Sequence, residues 1–281
     1  MKKKQIIFYE LNEVPEIIFE RYRKKSKKFN KLLQKFSFYK TISNDECVLS
    51  PWITWSTVHR GVTIRKHKIE NLGQDVHKQN KDYPPMWSDL KEKGLSVGVF
   101  GSLHSNQLPD DYLEYDFYIP DPFSDHSKCH PKSIEPIQEF QLKLTRGSSR
   151  NVKKSFSKEL SFKFFISLFK SGIKIKTYFL LLKQLLQEII DKKKLNRRRV
   201  FQSVINFDIY LKLLKLKSPR FSSFFTNHVA SAMHRYWEAA YPKDFQGKNK
   251  QDLNWIKSYK NEINFAMQAF ESQLDSLIKF A

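Results

Sequence analysis

Between Gln5 and Ile119, short apolar runs alternate with stretches of helical spacing, and few folds accommodate that order. Gln5–Tyr9 reads as a buried strand, after which Pro15 opens a helix to about Tyr22. Phe29, Leu32, Leu33 and Phe36 recur at helical spacing, and Phe38–Ile42 reads as a second strand. Ser50-Pro51 then starts a helix that Gly61 stops. Pro85–Lys93 is a further helix ending at Gly94, followed by strands at Leu95–Phe100 and Tyr115–Ile119. Phe221–Thr226 returns as a strand and Val229–Ala240 as a helix, and apolar residues from Ile256 to Leu277 mark one long amphipathic helix. Strands separated by helices predict an α/β fold, a mostly parallel sheet sandwiched by helices.

A chain of 281 residues can hold one large domain or two small ones, and its 40% hydrophobic content is not that of a disordered protein. Cys47 and Cys129 lie far apart and read as free thiols of a reducing compartment. Met1-Lys2-Lys3-Lys4 looks like the start of an export signal, but Glu10 breaks the apolar run behind it, so a cytoplasmic location is expected. No uncharged apolar stretch is long enough to span a bilayer. The net charge of +21 is concentrated in residues 151–220, which carry 18 Lys and Arg against 4 Asp and Glu. Leucines, isoleucines and phenylalanines interleave with these charges. The segment therefore reads as a basic helical insertion, either with a solvated face or lying on an anionic membrane or polyanion. No helix-turn-helix, zinc-finger or aromatic RNA-binding motif accompanies it, which disfavours nucleic acid.

In open α/β sheets, ligands bind beyond the carboxyl ends of the strands. Glu10, Asn12 and Glu13 follow the first strand, Ser102 and His104 follow Leu95–Phe100, and Asn227 and His228 follow the late strand, with His234 further on. Carboxylate and imidazole together suit zinc or manganese. Such an ion beside a hydroxyl supports displacement at phosphorus or sulfur. The helix opening at Ser50 offers free N–H groups to a phosphate or sulfate, with Ser50 or Thr54 as the hydroxyl. Taken alone, the same stretch also reads as an ordinary capped aromatic helix.

Five blocks in order then resemble the N-terminal half of the alkaline phosphatase superfamily, specifically type I phosphodiesterase/nucleotide pyrophosphatase-like proteins. They are the acidic end of the first strand at Glu10, Lys28-Phe29-Asn30-Lys31-Leu32-Leu33, Trp55-Ser56-Thr57-Val58-His59-Arg60-Gly61, His67-Lys68-Ile69, and Pro85 to Gly94 with the strand behind it. The resemblance covers residues 5–104. It implies an alkaline phosphatase-like fold, with metal at Glu10 and at His228 or His234. Ser50 or Thr54 would attack, and Asn12, His67 and Asn227 would hold substrate. Glu10 stands where the family has Asp, and the family register puts Pro51 at the nucleophile position, with Ser50 its neighbour. The family's C-terminal Asp-His block has no counterpart, so the fold is expected to be incomplete, completed by a second polypeptide or inactive alone.

The expected organisation is an N-terminal α/β part over 1–150, a basic helical insertion or cap over 151–220, and a truncated continuation over 221–281. The expected function is metal-dependent hydrolysis or transfer of a phosphoester or sulfoester on an anionic small molecule, lipid headgroup or glycan. The alternative is a non-catalytic binding or assembly protein at the periphery of an anionic membrane or on a polyanionic glycan.

Overall fold

The computed structural model describes residues 4–43, 45, 50–146, 158–248 and 250–280. Cys47 and residues 151–157 of the basic segment lie outside that set. The described elements begin with β1 (Ile6–Leu11), α1 (Glu16–Arg23), α2 (Lys27–Leu33), α3 (Pro51–Arg60), α4 (Ile64–His67), α5 (His77–Asp82) and α6 (Met86–Glu92). After these come β2 (Val97–Phe100), β3 (Phe117–Ile119), α7 (Glu135–Arg146), α8 (Lys158–Ser171), α9 (Ile175–Ile190) and α10 (Arg198–Lys217). The chain then runs through β4 (Phe221–Thr226), α11 (His228–Ala240), α12 (Leu253–Tyr259) and α13 (Glu262–Phe280).

The four strands form one parallel sheet in the order β1-β4-β2-β3. Val97, Gly98, Val99 and Phe100 of β2 pair with Phe221 to Phe224 of β4, and Gly98 lies opposite Phe117 of β3. Side chains alternate between faces along a strand, and here both faces are covered. Val97 and Val99 pack on Trp87 of α6 with Tyr115, Tyr118 and Phe221. On the opposite face Phe100, Phe117 and Phe224 each meet the ring of Tyr210 from α10. The α/β class with a parallel, helix-covered sheet is thus present.

Two expected elements differ. Phe38–Ile42 is not a strand; Phe38, Tyr39 and Ile42 are exposed and in irregular chain. An apolar run becomes a strand only where a neighbour takes its backbone bonds, and none of the four strands pairs with this one. The C-terminal amphipathic stretch is two helices broken by a turn at Lys260-Asn261. α12 sets Tyr259 on Tyr236, while α13 buries Ile263, Met267 and Phe270, and the turn allows each helix its own facing.

The chain divides into two compact units. The first comprises residues 1–10, 41–173 and 209–225 and holds the sheet core; the second comprises 11–40, 174–208 and 226–281. The basic segment is therefore shared between them. In the second unit, Phe29 of α2 packs edge-on against Tyr22 of α1 and Phe270 of α13.

α9 is built with its polar side inward. Thr177, Gln184 and Glu188 are buried, whereas Ile175, Phe179, Leu182, Leu186, Ile189 and Ile190 are exposed, each by more than half. At 100° per residue the two sets occupy opposite faces of the helix. Each inward side chain has a partner, though Gln184 Oε1 is left without one. Thr177 Oγ1 donates to Asp208 at 2.6 Å, Gln184 Nε2 donates to the Lys194 carbonyl at 2.7 Å, and Glu188 accepts a fork from Arg198 at 2.6 and 3.0 Å.

Candidate functional site

In the first unit, Glu10 near the end of β1 is fully buried. Its Oε1 accepts from Ser102 Oγ at 2.5 Å and its Oε2 lies 3.0 Å from His59 Nε2. Ser102 Oγ is also 2.7 Å from Ser223 Oγ, so β1, β2 and β4 are joined by one polar chain. α3 supplies His59 because Trp55, one turn earlier, stacks on its ring, and Trp87 closes it edge-on. Both Glu10 oxygens are taken and shielded, which suits a structural tie better than an open metal ligand.

His67 is also committed. Its Nδ1 accepts from the Ile69 N–H at 3.0 Å, so its proton sits on Nε2, 3.0 Å from Thr57 Oγ1. Thr57 in turn donates to Asp45 at 2.8 Å. His67 thus pins the loop after α3. Of the two hydroxyls at the start of α3, Thr54 Oγ1 donates back to the Ser50 carbonyl at 2.9 Å. Ser50 sits at the N-cap yet makes no capping bond, and its buried Oγ has no partner. Arg60, at the end of α3, bonds Asn80 through one nitrogen at 2.6 Å, while Nε and Nη1 are unpartnered, and burial lowers its pKa to about 10.

In the second unit the chain brings together four polar residues. Asn12 continues the pairing of β1 with β4 through its N–H to the Thr226 carbonyl, 3.1 Å. Its amide donates to Asn227 Oδ1 at 3.0 Å and to Glu13 Oε2 at 3.1 Å. His234 Nε2 lies 3.1 Å from the same Glu13 oxygen. Asn12, Asn227 and His234, expected from the sequence, therefore meet through Glu13. Glu13 has φ of 51°, a left-handed position that aims its carboxylate across the strand end.

His228 goes elsewhere. Its Nδ1 is 2.7 Å from Thr226 Oγ1, and the Ala266 carbonyl also bears on the buried ring. His228 and His234 are six residues apart on α11, some 240° around the helix, so they do not share an ion. Zinc sites use three or four protein donors. Among the described residues no group of three His, Cys, Asp or Glu is arranged to hold a metal ion. Glu13 and His234 make a pair, and Glu10 stands with His59, so these donor sets do not fit a zinc or manganese centre. Cys129 is buried, and burial raises its thiol well above the usual range.

Burial lowers His67, His104 and His228 to about 4, with Arg60 adding to the effect on the first two and the Ala266 carbonyl opposing it on the third. Unfolded, these imidazoles take up protons near 6.5. Between pH 6.5 and 4 the unfolded chain binds more protons than the folded one, so stability falls as pH falls. Asp121, raised by burial to about 6, pulls the other way by one proton. Urea midpoints from pH 7 to 4.5 should decline across that window; a flat profile would contradict buried neutral imidazoles.

Glu13 follows the first strand in sequence but carries no assigned role there, and nothing local marks His59 or Arg60. No family model matches the chain, and no curated protein or solved structure matches it either.

Proposed function

We propose that this chain works at an anionic membrane surface as a peripheral protein seated through α9, and that it recognises phosphate- or sulfate-bearing headgroups or glycans there. The single observation that carries this reading is the exposed apolar stripe of α9. Ordinary surface helices turn such a stripe inward; a helix lying in a lipid interface turns it outward, with basic residues beside it. Lys176 and Lys183 stand on the shoulder of the stripe, and Lys192, Lys193 and Lys194 follow the helix. A charge of +21 favours anionic lipid and opposes pairing with a second copy of the chain. Among the described residues no helix is long and apolar enough to cross a membrane. Co-sedimentation of the purified chain with vesicles of phosphatidylglycerol and phosphatidylcholine tests the reading. Binding to the anionic vesicles at physiological salt is expected; recovery in the supernatant with both lipids would sink it.

A second reading, ester hydrolysis or transfer on an alkaline phosphatase-like scaffold, is favoured by one specific observation. Ser50 carries a buried, unpartnered hydroxyl at the N-terminus of a ten-residue helix, where a developing negative charge is stabilised. Thr54 has its hydroxyl engaged and is the weaker candidate. If this reading holds, release of nitrophenol from aryl phosphodiesters, phosphomonoesters or sulfates should drop at least ~100-fold in Ser50→Ala and stay near native in Thr54→Val. No release by the native chain with added zinc or manganese leaves recognition without turnover.

A further inference from the structure

Arg197, Arg198 and Arg199 follow one another in sequence but meet different fates. Arg197 forks onto Glu262 at 2.7 and 2.8 Å, and Arg198 onto Glu188. Arg199 faces α11, where its Nη1 donates to Ser231 Oγ at 2.9 Å. Neither Arg199 nor Arg235, one turn past Ser231, has a carboxylate partner among the described residues. Burial and the charge of Arg235 together lower Arg199 to about 10.

A narrow pocket opening to solvent, with about 10 Å³ of room inside, is lined by these two arginines with Asn196, His228, Ser231 and Glu262. Two buried side-chain atoms here have no partner: Asn196 Oδ1 and Asn196 Nδ2. Leaving such groups unpaired is unfavourable. The first turn of α11 also reaches the pocket, and free N–H groups at a helix start favour anions.

We propose that the mouth of this pocket is a binding site for a tetrahedral oxyanion, a phosphate or sulfate group held by Arg199 and Arg235 with Asn196 Nδ2 as a neutral donor. Glu262, a buried part of the lining, is already neutralised by Arg197 and Lys194. The group could arrive as a free anion or on a headgroup. The assignment does not depend on membrane seating, because soluble ligands test it.

Calorimetry on the full chain would compare inorganic phosphate, inorganic sulfate and glycerol phosphate, with chloride at matched ionic strength. Saturable binding of at least one of the three is expected, with none for chloride. Arg235→Ala, at an exposed position that leaves the fold intact, should weaken it about tenfold or more, as should Arg199→Gln. His234→Ala should leave it unchanged. Binding of glycerol phosphate without inorganic phosphate or sulfate would assign the site to a headgroup; the reverse would assign it to the free anion. No binding of any of the three, or binding that survives Arg235→Ala, overturns the proposal.

Discussion

Replacing Leu182 and Leu186 together with glutamate is expected to release the chain from anionic vesicles, with partitioning down at least ~100-fold. Burying a leucine side chain contributes roughly 1.5–3 kcal/mol, and both residues are about 60% exposed, so that burial is still to be gained. The substitution removes two such contributions and places two carboxylates against anionic lipid. Folding should be untouched, since the tying contacts of α9 come from Thr177, Gln184 and Glu188 on its other side. The measurement is co-sedimentation of native and substituted chains, with circular dichroism as the control on fold. Equal sedimentation of the two would refute the role of the stripe. Light scattering on the native chain separates the remaining occupant: a dimer that the substitution converts to monomer would make α9 a seam between copies.

Gly98→Ala should destabilise the fold by about 1–3 kcal/mol, the range for overpacking a closed core, read as a lower urea midpoint. A Cβ at this position would stand 2.2 Å from Phe117 Cζ and within 2.6 Å of both Cε atoms. Phe117 is the direct register partner of Gly98 on β3 and is wholly buried, with Tyr210 edge-on to its ring. The ring has no direction in which to retreat without moving α10 or the strand. A midpoint within error of the native one would show that this corner of the sheet is looser than its packing implies.

Much of the sheet was legible because strand and helix repeats differ. Phe221–Thr226 is a strand with the bounds read from the sequence, and Ser50-Pro51 and Gly61 bracket α3 as capping chemistry requires. Phe38–Ile42 misled because an apolar run reports a preference for burial and says nothing of a neighbouring strand. α9 misled in a subtler way. Its spacing reveals two faces, but which face turns inward is decided by Asp208, Arg198 and the Lys194 carbonyl, whose arrival no local pattern announces. The meeting of Asn12, Asn227 and His234 followed from strand ends, a topological regularity. The pairing of His67 with Thr57 and the sealing of Glu10 did not, since a polar residue past a strand reads alike whether it faces ligand or core.

The inward polar side of α9 also decides how such a surface can be regulated. Rolling the helix by half a turn would hide the leucines and isoleucines, but it would strip buried Asp208 of Thr177 and separate Glu188 from Arg198. A hydrogen bond lost from a buried charged group costs about 1.5–3 kcal/mol, so the rolled state would be the minor one. The greasy face is therefore a standing feature of the fold and not one uncovered by a trigger. Attachment would be constitutive, set by lipid composition and ionic strength.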